Sequence, residues 1–103
     1  VTEVDTKDLV EATARLETLG YKVFFFENHG RLVASVRTIP GGYSLPLEDT
    51  MDYTQEPPIG GDWYAQMPYG GYYPSQMDSL IKSIENSREA IKILNDLRAT
   101  AAA

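Results

Sequence analysis

The sequence predicts a single α+β domain. Three observations carry that reading: apolar residues at helical spacing between 5 and 19, two runs of aromatic and branched residues around a turn at 28–30, and a longer helical stripe over 76–99. A chain of 103 residues with 43% hydrophobic residues fills one small core and no second one.

Leu9, Ala12, Leu16 and Leu19 recur three and four residues apart, with Val10 beside them, which predicts a helix over 5–19. Asp5 or Thr6 is placed to cap its start, and Asp8 sits where the helix dipole favours an acid. Gly20 is placed to take the left-handed conformation that ends it.

Residues 21–27, Tyr-Lys-Val-Phe-Phe-Phe-Glu, and 31–37, Arg-Leu-Val-Ala-Ser-Val-Arg, read as a β-hairpin. A loop of 28–30 pairs Glu27 with Arg31, Phe26 with Leu32 and Phe24 with Ala34. That register puts Phe24, Phe26, Leu32, Ala34 and Val36 on one face, and Tyr21, Val23, Phe25 and Val33 on the other. Both faces are apolar, so each needs a cover. Pro40-Gly41-Gly42 signals another turn, and Tyr43–Leu45 is expected to form a short third strand, held to an edge by Pro46.

Residues 38–76 differ in composition. They hold all six prolines, six of the eight glycines, six of the seven tyrosines and Trp63. Five acids (Glu48, Asp49, Asp52, Glu56, Asp62) and no lysine or arginine give this stretch −5 of the formal net charge of −6. Pro40-Gly-Gly-Tyr43, Pro58-Ile-Gly-Gly-Asp-Trp63 and Pro68-Tyr-Gly-Gly-Tyr72 form a weak repeat that suggests successive turns, each presenting a ring. Three irregular copies are too few for a solenoid. Tyrosine among glycine and serine is the composition of an adaptable contact surface. Trp63, Tyr64, Tyr69, Tyr72 and Tyr73 are therefore the candidate partner-binding rings, the competing reading being that they fold back over the sheet.

Over 76–99, Met77, Leu80, Ile81, Ile84, Ile91, Leu94 and Leu97 form an apolar stripe. Ser75 and Asp78 fit a capping box. With Met77, Ile84 and Ile91 at heptad position a, Leu80 and Leu94 fall at d, while Ser87 and Arg98 interrupt the seam. The final Ala-Thr-Ala-Ala-Ala is expected to fray. Phe25, Val33, Ile84, Ile91 and Leu94 are the candidate self-association residues, since the hairpin's two apolar faces and this stripe exceed what a lone monomer covers.

The function classes narrow by elimination. The acidic balance argues against nucleic-acid binding, which needs a basic face. The absence of cysteine excludes disulfides, thiolate metal sites and cysteine nucleophiles, and one histidine excludes a multi-histidine metal site. No apolar run reaches membrane-spanning length, the start of the chain carries no signal-peptide pattern, and the balanced charge of the terminal helix does not suit a membrane surface. His29, the one side chain that titrates near neutrality without perturbation, sits in a turn with no triad partner and is expected to be dispensable. The clustered acids lack the spacing of a calcium loop, and the glycine pairs match no phosphate-binding pattern. The expectation is a non-catalytic cytoplasmic protein (host cytoplasm if viral) that binds a protein partner through its aromatic acidic loop and C-terminal helix, as an accessory, assembly or inhibitory factor of phage- or virus-like size and charge. It is expected to form a homo-oligomer and to need no metal or cofactor. The alternative is a small-molecule binder whose pocket forms from the Tyr/Gly loop at a subunit interface.

Overall fold

The computed structural model describes residues 5–28, 31–40, 44–48, 51–52, 63–67 and 73–102. Helix α1 spans Thr6–Thr18, and strands β1 (Tyr21–Asn28) and β2 (Arg31–Thr38) form an antiparallel hairpin. Three two-residue strands follow: β3 (Leu47–Glu48), β4 (Met51–Asp52) and β5 (Tyr64–Ala65). A 3₁₀ turn, Pro74–Gln76, leads into the long helix α2, Met77–Ala102. The α+β class expected from the sequence is present, with an N-terminal helix, a hairpin and a long C-terminal helix.

Helix α1 begins at Asp5, whose extended backbone places its carbonyl to accept from Leu9 N at 3.1 Å. The Asp5 side chain makes no capping bond, so the expected side-chain cap is absent. Gly20 ends the helix as its position implied, at φ 95°, a conformation that a Cβ would penalise. The Gly20 carbonyl then accepts from Ile39 N at 2.9 Å and from Ser44 Oγ at 3.0 Å. One glycine therefore joins the helix end to the base of the hairpin.

The hairpin register differs by one residue from the expected one. Asn28 pairs Arg31, Glu27 pairs Leu32, Phe26 pairs Val33 and Phe25 pairs Ala34. Two residues rather than three therefore separate the strands, the shorter connection that a right-handed strand twist favours. Because side chains alternate along a strand, this one-residue change exchanges the faces of β2. Tyr21, Val23, Phe25, Ala34 and Val36 now share the inner face, and Phe24, Phe26, Val33 and Ser35 the outer one. His29 and Gly30 lie outside the described residues.

The sheet's third strand is β4, which pairs with β2 through Val33–Asp52 and Ala34–Met51, giving the order β1-β2-β4. It is not Tyr43–Leu45: Tyr43 lies outside the described residues, and Ser44 and Leu45 are not strand. The Leu45 backbone is used differently, its carbonyl accepting from Tyr21 Oη and its N–H donating to Ser87 Oγ. Strand β3 starts only after Pro46 and pairs with β5 in a separate two-stranded ladder, which Gln66 N extends to Pro46 O at 2.7 Å.

The start of α2 is secured by Tyr73 and Gln76 rather than by Ser75 and Asp78. Gln76 N donates to Tyr73 O at 2.8 Å, and Tyr73 N donates to Gln76 Oε1 at 3.1 Å. Pro74 supplies the fixed φ that opens the turn, which places Ser75 inside the turn instead of at its cap. The helix also runs through Ala102, past the expected end at 99, in keeping with the high helix propensity of alanine.

The core joins Ala12 and Leu16 of α1, Tyr21 and Val23 of β1, Ala34 of β2, Trp63, and Ala90, Ile93, Leu94 and Leu97 of α2. Arg15 Nη2 and Glu89 Oε1, 2.9 Å apart, pair across the two helices. Both side chains are largely exposed, so this pair is worth no more than about 1 kcal/mol.

Candidate functional site

Burial in α2 runs along Ser87, Ala90, Leu94 and Leu97, with Ile93 beside them. Spacings of three and four put these residues on one helix face. Ser87 and Ala90 are small and fully buried. Ser87, the expected interruption of the seam, is instead its polar centre. Tyr21 Oη lies 2.8 Å from Ser87 Oγ and donates to Leu45 O at 2.6 Å. Ser87 Oγ also donates to Ser83 O at 2.7 Å and accepts from Leu45 N at 3.1 Å. The Tyr21 proton goes to the Leu45 carbonyl, so the Ser87 proton is shared between Tyr21 Oη and Ser83 O. Burial pushes the Tyr21 phenol above its ordinary value, and the Ser87 hydrogen bond offsets part of that rise.

The N-terminal half of α2 is a different surface. At 1.5 Å per residue the 26-residue helix is about 39 Å long. Its buried contacts nevertheless begin only at Ser87. Before that point Tyr73 is 74% exposed, Met77 42% and Ile81 49%, with Leu80 and Ile84 half-buried beside them. Met77 and Ile81 are four apart on one face of α2, and exposed Tyr73 precedes the 3₁₀ turn that leads into it. Strand β5 packs against α2 and carries the exposed Tyr64, with exposed Met67 two residues beyond its end. A second exposed apolar pair, Phe24 and Phe26, lies on the outer face of β1. There the Lys22 ammonium sits 5.3 Å from the centre of the Phe24 ring, within cation–π range.

These placements divide the rings and apolar residues expected to make contacts. Trp63, at 2% exposure, is a core residue and offers no contact face, which corrects its assignment to a binding surface. Burying this ring stabilises a small core more than any other apolar side chain would. Tyr64 and Tyr73 are exposed, and Tyr69 and Tyr72 lie outside the described residues. Of the residues expected at a subunit interface, Leu94 and Val33 are buried within the chain. Phe25 and Ile91 pack against the same core, and Ile84 is half-buried. Val33 lies on the outer face of β2, the middle strand of the sheet, and is buried there. Met77 and Ile81 belong to the stripe visible in the sequence. Their exposure depends on where the core ends along α2, and the periodicity carries no mark of that.

Grooves open along α1 among the described residues. One, of about 250 Å³, lies between α1 and α2 and is lined by Asp8, Glu11, Arg15, Asp96 and Thr100 over an Ala12–Ile93–Leu97 floor. Its volume falls below the range usual for ligand pockets. Another, of about 350 Å³, runs along α1 past Leu9, Val10, Thr13 and Ala14. No group of three or more metal-ligating side chains comes together among the described residues. The side chains of Glu48, Asp49, Asp52, Glu56 and Asp62 lie outside them, as does a pocket built from the Tyr/Gly loop. No described helix is long and apolar enough to cross a membrane.

Comparisons with family models, with curated proteins and with solved structures found no match.

Proposed function

We propose that this chain is a non-catalytic protein-interaction factor whose contact surface is the N-terminal half of α2. The observation that carries the reading is the Met77–Ile81 face of α2, which stays exposed after the core has formed, with exposed Tyr73 just ahead of it. Anchors four residues apart on one helix face are the form in which an amphipathic helix enters an apolar groove of a partner protein. Tyr73 ahead of this face adds a large ring with a polar tip, a residue type enriched where binding energy concentrates. Polar and charged residues of the same turns, Asp78, Lys82 and Glu85, supply a rim that keeps the stripe soluble and selects the partner's charge pattern. The role is that of an accessory, assembly or inhibitory protein, since binding through such a stripe requires no chemistry of the chain itself.

The test is affinity capture from the native host lysate, with the wild-type chain and with Ile81→Asp as paired baits. A defined partner retained by the wild type and lost by the variant supports the reading, provided the variant's circular dichroism is unchanged. An identical set of captured proteins on both baits sinks it. A small molecule that co-purifies with the chain when no protein does moves the function to ligand binding.

A further inference from the structure

The chain carries a net charge of −6, but the outer face of the hairpin has the opposite character. The register sets Lys22 opposite Arg37, Phe24 opposite Ser35 and Phe26 opposite Val33. Alternation puts all six on one face of the sheet. With the three-residue loop expected from the sequence, the same rings would have faced Leu32, Ala34 and Val36, and Arg37 would have lain on the other side. Lys22, Phe24, Phe26 and Arg37 are exposed, the two rings to 48% and 46%. Among the described residues neither Lys22 nor Arg37 has an ion-pair partner. Like charges directly opposite one another destabilise a sheet, and an anion held beside them relieves that repulsion. Glu27, the acid of β1, belongs to the inner set of the alternation. Asp52, the acid of β4, stands opposite Val33, four residues and roughly 13 Å of strand from Arg37. That separation exceeds the screening length of about 8 Å at physiological salt.

We infer that this face is a stacking platform for single-stranded nucleic acid, with Phe24 and Phe26 under two successive bases and Lys22 and Arg37 on the phosphates. Exposed aromatic rings beside cations on a sheet are the form in which proteins hold unpaired bases. Two residues along a strand set the rings about 6.6 Å apart. That is nearly twice the rise of about 3.4 Å between neighbouring nucleotides of a duplex strand. Successive bases can each cover a ring only when they unstack, which a single strand permits and a duplex resists. Every base has a π-face, so the platform tolerates any sequence. An acidic protein segment would satisfy the two cations but leave both rings without a planar partner. The Lys22 ammonium lies 5.3 Å from the centre of the Phe24 ring. An exposed cation–π contact is weaker than a base stacked on an aromatic ring, so an arriving base displaces the ammonium toward its own phosphate. The acids of residues 38–76 oppose the contact at long range, and salt screens that opposition. This face is separate from the exposed Met77–Ile81 face of α2.

Fluorescence anisotropy of labelled oligothymidylate and oligouridylate, about twelve nucleotides long, titrated with the full chain, provides the first measurement. Both should bind, and a duplex of the same length should bind about tenfold more weakly or worse. Phe24→Ala and Phe26→Ala should each weaken binding about fivefold or more, the loss of one stacked base. Phe24→Tyr keeps a ring and should recover most of that loss. Two phosphate contacts give log K against log salt a slope of about −1.4, and Arg37→Ala should reduce it by about 0.7. Val10→Ser, at an exposed position of α1, should bind as the wild type does. Ultraviolet cross-linking to oligothymidylate supplies an independent readout, and the cross-link should map to the tryptic peptide 23–31. Binding of neither oligonucleotide overturns the inference. So does polyglutamate bound as tightly as the oligonucleotides, which would assign the face to an acidic protein. A cross-link confined to another peptide overturns it as well. Cross-linking decides the matter even where a phenylalanine variant fails to fold.

Discussion

The hydroxyl of Tyr21 and the hydroxyl of Ser87 lie 2.8 Å apart in a fully buried position, joining the first strand to the last helix. Both also bond the Leu45 backbone. Three segments far apart in sequence thus meet at one polar point inside an otherwise apolar core. Such a point favours one depth and one rotation of α2 against the sheet, because sliding the helix by a turn leaves buried polar groups unpaired.

Removing either hydroxyl should therefore be costly for its size. Tyr21→Phe leaves the Leu45 carbonyl unpaired, and Ser87→Ala leaves the Leu45 N–H unpaired. Each should lower stability by about 1–3 kcal/mol, the usual penalty for stranding a buried polar group. The double variant should cost less than the sum of the two, with a coupling of at least about 0.5 kcal/mol. Urea unfolding of the four proteins measures this, and strictly additive losses would show that the two hydroxyls act independently.

A pH dependence follows from the same tyrosine. Burial raises the folded-state pKa of Tyr21 above its ordinary value of 10.0. The unfolded chain therefore loses this proton first as the pH rises. The stabilising contribution is complete below about pH 10 and is lost as the pH climbs through the raised folded value. The wild type should destabilise more steeply than Tyr21→Phe above pH 10, in denaturation followed by circular dichroism. Parallel curves for the two proteins would contradict this.

The register of the hairpin can be tested by disulfide trapping, since the chain has no cysteine. Glu27→Cys with Leu32→Cys places two thiols on a directly opposed, non-bonded pair and should oxidise readily to an intramolecular bridge. Glu27→Cys with Arg31→Cys should not, because those positions are offset by one residue and face opposite sides. Efficient bridging of the second pair alone would restore the three-residue loop.

The two halves of α2 should respond oppositely to substitution. Leu94→Ala removes a fully buried side chain and should cost about 2–5 kcal/mol. Ile81→Ala, on the exposed stripe, should change stability by no more than about 0.5 kcal/mol. Thermal or urea denaturation checks both, and a cost at Ile81 comparable with that at Leu94 would mean the stripe is covered within the chain.

Trp63 offers a simple optical check. Its buried indole should emit at short wavelength in the folded chain and shift to longer wavelength on unfolding in urea. Emission that is already long-wavelength in the native state would place the ring outside the core.

Local signals in the sequence determined the elements. The spacing of Leu9, Ala12 and Leu16 marked α1, Gly20 marked its end through the freedom of a residue without Cβ, and the aromatic runs marked β1 and β2. These features act between near neighbours, so they can be read without knowing the rest of the chain. The tertiary structure decided what depends on distant contacts. One residue fewer in the hairpin connection moved Ala34 to the inner face and left Phe24 and Phe26 outside, because strand alternation carries a single step along the whole ladder. The role of Ser87 depended on the phenol of Tyr21 and the backbone of Leu45 arriving beside it, and heptad counting sees neither. Trp63 entered the core rather than a contact surface. Composition alone gives a large ring the same affinity for a partner's groove as for its own chain's interior. Which of the two it fills is settled by where the sheet and helices leave space.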